Sequence, residues 1–429
     1  MIHKHLKSLL LSLLILCSTS AYSQTQADIE LGTLVNNGDL FQLKAQYPAL
    51  KDSVSFDMLR LIAEAQLGVG FNHLEEADKA LELLLQNHRE ELGQGGAFSM
   101  DALRAMNLLN MGHYRQAAEA AGQLVEALKE SVPFESLYSF VFIQRVGEAF
   151  AQLPAPYLTR PSHEVRVPMR VGAVGRGHHL YIPVEVNGVT RDYIFDTGCS
   201  FGNFVSEKYA EEVGLKIVAD SIPVSGMTVG LVKLATADSM KIGEITYHNP
   251  IFMVAPPDPQ VDSLFAFDGV LGYHFIRDAR EIIIDNESQE FIFPAEISAK
   301  ESNMYLESNT PHVRIQYQGV PFDITFDTGN VKTDLGAAFL TMFPDAISGL
   351  SEQSSQRGGF GGISKTTTVT LPEFNCTLAG VPVTLHDTEV IIPDSDNQSQ
   401  LFHGALGADF VLSFKRFTIN YQNMFVEGE

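Results

Sequence analysis

The tetrapeptide Phe-Asp-Thr-Gly occurs twice in this chain, at residues 195–198 and 326–329. Before each copy come a strand-like run, a turn that ends in glycine and a second apolar run, and the aspartate is the eighth residue after that glycine. Because the surroundings repeat together with the tetrapeptide, the sequence predicts one structural unit that occurs twice. Each unit supplies one carboxylate, and two carboxylates brought together can act as acid and base.

A second pair of motifs follows the aspartates at similar distances. Gly-Val-Leu-Gly begins at Gly269, 73 residues after Asp196, and Gly-Ala-Leu-Gly begins at Gly404, 77 residues after Asp327. One Asp-Thr-Gly arises easily by chance, whereas two copies with matching neighbours in the same order do not. The repeated order therefore favours an internal duplication.

The residues after each aspartate predict how the two copies meet. Gly198 and Gly329 are expected to allow a tight turn with φ values that a side chain disfavours. The hydroxyl groups of Thr197 and Thr328 are expected to bond to the backbone of the opposite copy and hold the two loops together. Two carboxylates so close do not both ionise readily, so one keeps a proton near neutral or acid pH.

These motifs resemble those of two-lobed aspartic proteases. Residues 196–200 and 267–272 are similar to the first lobe of pepsin-like enzymes, and residues 327–329 and 405–410 to the second. The short lobes also look like the retropepsin-type unit, and the resemblance extends over about residues 164–427.

The resemblance implies a catalytic dyad of Asp196 and Asp327, with a hairpin flap over the substrate near residues 226 and 358. It implies that no metal ion or organic cofactor is needed, because the dyad and water suffice. The substrate it implies is a peptide or protein bound in extended form. The remaining site residues that it implies are the active-site loops Thr197, Gly198, Ser200, Thr328, Gly329 and Asn330, and the supporting strands Gly269, Leu271, Gly272, Gly404, Leu406 and Gly407.

Two positions depart from the family pattern. Cys199 and Asn330 stand where the family usually has Ser, Thr or Ala, and a cysteine is a weak hydrogen-bond donor. Both aspartates are intact, which favours an active enzyme, but these departures leave open a catalytically silent relative that binds peptides or acts as a scaffold. A third alternative is a precursor that its helical region inhibits.

The first 23 residues are typical of an export signal, with Lys4 and Lys7, an apolar core and a small-x-small cleavage site before Gln24. They predict a bacterial protein exported to the periplasm or outside the cell, and a lipid anchor on Cys17 is the alternative. No later segment is long and apolar enough to span a bilayer. The formal charge of −23 would become −25 on cleavage, which disfavours nucleic acid as a partner.

Residues 24–152 show helical periodicity, as in the apolar positions Ala77, Ala80, Leu81 and Leu84. Residues 109–118 are similar to a tetratricopeptide helix-turn-helix, with a weaker copy at residues 72–77. This region predicts α-helical hairpins, either as a platform or as a docking surface for a protein partner. Because the duplication is internal, it allows an active monomer, and the oligomeric state stays open.

Prolines after residue 152 predict a linker, and short strands with glycine turns follow it. The predicted fold class is thus multidomain, α plus all-β, with N-terminal α-helical hairpins followed by a duplicated acid-protease β-barrel. Its predicted limits are residues 1–23 (signal peptide), 24–152 (helical), 164–297 (lobe 1) and 298–429 (lobe 2). His178 and His179 are expected in a loop before a strand, without a third metal ligand nearby.

Overall fold

A computed structural model of the protein describes residues 24–258, 267–393 and 403–429. The predicted export signal, including Cys17, and parts of the polar loops that precede Gly269 and Gly404 lie outside the described residues. Within the described part, no helix is both long and apolar enough to cross a membrane.

The chain divides into two compact units, with the boundary between Ala155 and Pro156. The first is α-helical and the second is largely β, which confirms the predicted order of helices followed by a β region. The finer domain limits within that order stay predictions. One detail was wrong: the proline-marked stretch after residue 152 is not all linker, because Tyr157–Thr159 forms a strand that pairs with residues 246–248.

The helical unit is built from neighbouring helices whose apolar faces form two hydrophobic clusters, one that includes Leu61 and Leu81 and one that includes Leu124 and Phe140. Glycine allows one close approach, since a Cβ on Gly68 would lie 2.7 Å from Ala77 Cβ. The pairs of adjacent helices agree with the predicted hairpins, while the tetratricopeptide assignment stays a prediction. The helices are α1 Gln26–Asn37, α2 Leu40–Leu50, α3 Asp57–Gly70, α4 Leu74–Asn87, α5 Arg89–Asn110, α6 Tyr114–Leu128 and α7 Tyr138–Phe150.

A buried carboxylate ties the start of α1 to the chain before α3. Thr25 and Asp28 form a reciprocal capping box. Asp28 also accepts hydrogen bonds from Ser55 N, Ser55 Oγ and Phe56 N at 2.7–3.2 Å. Burial alone would raise the pKa of Asp28, but the hydrogen bonds from Ser55 and Thr25 outweigh it and lower the pKa to about 2.

We call residues 164–297 the first half of the β unit. Its strands alternate between core and surface, as in the strand with Leu180, Ile182 and Val184, which are all buried. The elements of the β unit up to the end of this half are β1 Tyr157–Thr159, β2 Val165–Pro168, β3 Arg170–Val174, β4 Gly177–Val186, β5 Val189–Phe195, β6 Asn203–Ser206, α8 Glu207–Glu212, β7 Lys216–Ser225, β8 Val229–Thr236, β9 Ser239–Ile242, β10 Ile245–His248, β11 Ile251–Ala255, β12 Gly269–Leu271, α9 Tyr273–Ala279, β13 Glu281–Asp285 and β14 Glu290–Phe293.

We call residues 298–429 the second half. Its elements are β15 Met304–Glu307, β16 Thr310–Tyr317, β17 Val320–Phe326, β18 Asp334–Leu335, α10 Ala337–Met342, β19 Glu352–Gly359, β20 Gly362–Leu378, β21 Val381–Ile392, β22 Gly404–Leu406, α11 Ala408–Leu412, β23 Arg416–Asn420 and β24 Phe425–Gly428.

The two halves repeat one pattern of strand pairing. The first half contains the order β5-β12-β6-β11-β8-β7, and the second contains β17-β22-β18-β21-β20-β19. In both, the first and third pairings are parallel and the other three are antiparallel. The description of each half as one acid-protease barrel stays a prediction.

A further sheet joins the halves in the order β2-β14-β13-β23-β24. Its central pairing is antiparallel, from Glu281 opposite Asn420 to Asp285 opposite Arg416. The strand pairs that end the two halves, β13–β14 and β23–β24, are therefore neighbours in one sheet. This shared sheet fixes the halves against each other and leaves their Asp-Thr-Gly loops facing across the junction.

Candidate active site

The two aspartates of the repeated tetrapeptide lie side by side. Asp196 directly follows β5 and Asp327 directly follows β17. The Asp327 carboxyl group lies beside Gly198 of the first loop, and the Asp196 carboxyl group lies beside Gly329 of the second. The structure therefore brings together the two side chains that the sequence singled out.

Each aspartate is held by the turn that follows it. Asp196 Oδ1 accepts hydrogen bonds from the N–H groups of Gly198 (2.8 Å) and Cys199 (3.0 Å). Asp327 Oδ1 accepts the equivalent bonds from Gly329 (3.0 Å) and Asn330 (3.3 Å). One oxygen of each carboxyl group is thus committed to the backbone, which fixes the orientation of both side chains.

The glycines are needed for a different reason from the one predicted. Neither Gly198 nor Gly329 has a positive φ, so the expected backbone freedom is not what selects glycine. A Cβ on Gly198 would lie 2.3 Å from Asp327 Oδ1, and a Cβ on Gly329 would lie 2.4 Å from Asp196 Cγ. Any side chain at either position would overlap the opposite carboxyl group.

Burial and mutual repulsion shift the titration of the pair. Burial raises the pKa of Asp327 well above its usual range, and the negative charge of Asp196 raises it further. Burial also raises the pKa of Asp196, although hydrogen bonds from Asp327 and the backbone oppose this. The pair therefore retains one proton to a higher pH than an exposed aspartate does.

Two threonines connect the loops across the junction. Thr197 Oγ1 donates to Phe326 O (2.9 Å) and accepts from Thr328 N (3.0 Å). Thr328 Oγ1 donates to Phe195 O (2.7 Å) and accepts from Thr197 N (3.1 Å). Both threonines are fully buried, and the structure shows the reciprocal bonding that the sequence predicted.

The other predicted loop residues have different surroundings. Cys199 Sγ lies 3.7 Å from Phe201 O, and burial raises the pKa of this thiol well above its usual range. The Asn330 amide donates to Asp334 Oδ2 at 2.7 Å. Ser200 contributes its carbonyl, which accepts from Asn309 Nδ2 at 3.0 Å.

The predicted supporting strands lie directly beside the loops. Asp196 N donates to Leu271 O (3.1 Å), and Asp327 N donates to Leu406 O (2.9 Å). Glycine is required at the start of β12, because a Cβ on Gly269 would lie 2.4 Å from the Tyr193 ring. The other glycines of this set also face crowded space: Gly272 beside Gly202 O, Gly404 beside Asp334 O and Gly407 beside Lys332 C.

The sequence prediction missed His179 as a neighbour of the site. It lies within β4 rather than in a loop before a strand, it is buried, and its Nε2 lies 3.0 Å from Gly329 O. Burial lowers its pKa despite the bond to Gly329 and the charge of Asp196. Leu180 and Ile182 point to the core in an alternating strand. If the strand had been predicted to begin before Leu180, the alternation would have placed His179 on the opposite face.

The segments near residues 226 and 358, where the resemblance implies a flap, form the tips of two hairpins. The tips of β7–β8 and β19–β20 touch, since Met227 N donates to Phe360 O (2.7 Å) and Thr228 Oγ1 donates to Gly361 O (2.6 Å). The Phe360 ring lies 5.1 Å from the Phe204 ring, measured between centroids. The hairpin of the second half therefore reaches over β6 of the first.

The comparison of this sequence with known protein families gives a match in the first half of the β unit, in the part that contains the Asp196 loop. Residues 182–275 match the sequence family described as aspartyl protease. This match supports an aspartic protease-like domain in that part of the chain. No curated protein matches the sequence significantly.

Similar solved structures include a retropepsin-like aspartic protease from Rickettsia conorii, with 20% identity over 32% of this chain and 92% of that one, and a TM-score of 0.22. A second is the structure of edgp, with 12% identity over 64% of this chain and 95% of that one, and a TM-score of 0.34.

Proposed function

We propose that this protein is an exported aspartic endopeptidase with Asp196 and Asp327 as its catalytic dyad. The observation that carries the proposal is the pair of partly buried carboxyl groups, one from each half of a single chain, each held by its own loop and facing the glycine of the opposite loop. Each half delivers its carboxyl through the same loop, as expected of a duplicated acid-protease fold. The family match of residues 182–275 supports the first of these loops.

In this reaction the ionised carboxyl group takes a proton from a water molecule. The water oxygen attacks the peptide carbonyl carbon, while the protonated carboxyl group donates to the carbonyl oxygen. Transfer of a proton to the nitrogen then releases the amine as the tetrahedral intermediate collapses. Thr197 and Thr328 position the loops, and the hairpin tips at residues 226–228 and 360–361 cover an extended peptide.

The raised pKa values set the pH dependence of this chemistry. Catalysis needs one proton on the pair, and both aspartates hold protons to a higher pH than usual. Activity should therefore be present at acid pH and fall as the pH rises through the upper pKa of the pair.

The test is cleavage of a mixed peptide library by residues 24–429 between pH 3 and pH 8. Asp196→Asn and Asp327→Asn should each abolish cutting, because either change removes the shared proton site. Asp192→Asn is the matched control: it changes an exposed aspartate on β5 that bonds to Arg170, and it should cut normally. Cutting that survives in both dyad variants would refute the assignment.

A catalytically silent relative is the second candidate, and the surroundings of Cys199 and Asn330 favour it. The Cys199 thiol lies 3.7 Å from Phe201 O and 4.0 Å from Gly202 O, and the Asn330 amide bonds to Asp334. A folded protein that binds peptides but cuts none at any pH would establish this alternative. We further propose that the helical unit docks a protein partner and that the chain acts as a monomer.

A further inference from the structure

The repeated strand register identifies equivalent residues in the two halves. Val205 pairs with the first residue of β12, and Leu335 pairs with the first residue of β22. The residues just before them, Phe204 and Asp334, are therefore equivalent. Their partners on the neighbouring parallel strands are Met253 and Glu389.

The chemistry of this position differs completely between the halves. In the first half, Phe204 and Met253 form an apolar surface, and the Phe360 ring packs against Phe204. In the second half the same two places hold the carboxylates of Asp334 and Glu389. Since the backbone pattern is the same in both, the fold does not require the charges.

Two arginines cover these carboxylates. Arg357 on β19 places Nη1 2.7 Å from Asp334 Oδ2 and Nη2 3.8 Å from Glu389 Oε2. Arg176, in the β3–β4 turn of the first half, places Nη1 2.6 Å from Glu389 Oε1 and Nη2 3.3 Å from Ser355 Oγ. The cluster is thus assembled from both halves of the β unit.

Burial shows which groups an incoming molecule would meet. The side chains of Asp334 and Glu389 are 4% and 7% exposed, whereas those of Arg357 and Arg176 are 26% and 61% exposed. The carboxylates form the floor and the guanidinium groups lie above them. Each guanidinium has five N–H donors, more than its bonds to Asp334, Glu389 and Ser355 use.

The cluster lies between the dyad and the hairpin tips. Asn330 bonds through its backbone to Asp327 and through its side chain to Asp334. Arg357 precedes the tip residue Phe360 by three positions on the same hairpin. The guanidinium groups therefore belong to the wall of the proposed substrate cleft.

We propose that Arg357 and Arg176 form a carboxylate-binding subsite, which selects substrates with an aspartate or glutamate side chain near the bond that is cut. Buried carboxylates fix both guanidinium groups in advance, and arginine pairs best with a carboxylate. A purely structural ion-pair cluster explains less, because apolar side chains fill the same positions in the first half, and apolar replacements of buried ion pairs are often as stable. This inference rests on the proposed protease function.

The experiment compares peptides that are identical except for glutamate or glutamine at each position within three residues of the cut. Wild-type residues 24–429 should cleave the glutamate form at least about tenfold faster at one position. Arg176→Gln should remove that preference. Arg170→Gln is the matched control, because it changes an exposed arginine of the same hairpin that bonds to Asp192 outside the cluster.

Removal of Arg357 alone would leave Asp334 buried without its cation. A second variant therefore replaces the charged residues of the cluster with apolar residues, as at the equivalent positions of the first half. Asp334→Phe, Glu389→Met and Arg357→Leu together should keep the fold and change the preference from glutamate to an apolar residue. Equal cleavage of both peptides by the wild type would refute the carboxylate-binding subsite, and the proposed protease activity would still hold.

If the wild type cleaves neither peptide, binding can still test the subsite separately from the protease activity. The binding of both peptides is measured with the Asp327→Asn variant, which should not cleave them. Binding that favours glutamate about tenfold, and loses this preference with Arg176→Gln, would support the subsite although the wild type cuts neither peptide. Equal binding of both peptides, or no binding, would overturn the subsite.

Discussion

Replacing Thr197 with valine should strongly destabilise the β unit. The change keeps the shape of the side chain and removes only the hydroxyl group. That hydroxyl makes two buried bonds, to Phe326 O at 2.9 Å and from Thr328 N at 3.0 Å. Both main-chain partners would remain buried without a replacement.

The magnitude follows from those two orphaned groups. A buried donor or acceptor that loses its partner costs about 1–3 kcal/mol. Thr197→Val should therefore lower the free energy of unfolding of the β unit by about 2–6 kcal/mol. Thr328→Val should do the same, because it leaves Phe195 O and Thr197 N without their partner.

Hydrogen exchange followed by mass spectrometry along a urea titration can measure this, because it resolves peptides of residues 156–429 from those of the helical unit. The control is Thr388→Val. Thr388 is equally buried, but within the described residues its Oγ1 has no hydrogen-bond partner. Its replacement should change the free energy of unfolding by less than about 1 kcal/mol.

A loss below about 1 kcal/mol in Thr197→Val, equal to that of the control, would refute the reasoning. It would mean that the threonine pair does not hold the two loops together. Thr197→Ser removes the methyl group and keeps the hydroxyl, and it should retain most of the stability, which would assign the effect of Thr197→Val to the hydroxyl group.

Two further predictions concern other parts of the chain. Asp28→Asn should destabilise the helical unit by about 2 kcal/mol at pH 7, because the pKa of Asp28 falls from 3.8 to about 2 on folding. This stabilisation is complete above about pH 4 and is lost as the pH falls to about 2, so thermal melts of variant and wild type should differ at pH 7 and converge near pH 2. Phe360→Ala removes the ring contact with Phe204 and should speed hydrogen exchange in residues 225–230 about tenfold. Phe134→Ala, at a 59% exposed phenylalanine, is its control, and unchanged exchange in Phe360→Ala would show that the ring does not hold the tips together.

Much of the site could be predicted from the sequence because it depends on local repetition. Asp196 and Asp327 each directly follow a strand, and a duplicated strand–loop pattern brings equivalent loops to one junction. The reciprocal role of Thr197 and Thr328 follows from the same symmetry.

The sequence prediction failed where a residue's role depends on the opposite half. Gly198 faces the carboxyl group of Asp327, 129 residues further along the chain, so the pattern around it suggested only a turn. His179 was expected in a loop, yet it contacts Gly329 O. Such contacts follow from the junction between the halves, which local periodicity does not describe.

The sequence by itself determined the succession of helices and strands, the repeat and the two carboxylates, because periodicity and turn residues act over a few neighbouring positions. Only the tertiary structure decided which side chains form the ion-pair cluster beside the Asp327 loop. Arg176, Asp334, Arg357 and Glu389 are scattered over more than two hundred positions, and no local pattern links them. They meet because the strand register and the junction between the halves place them there.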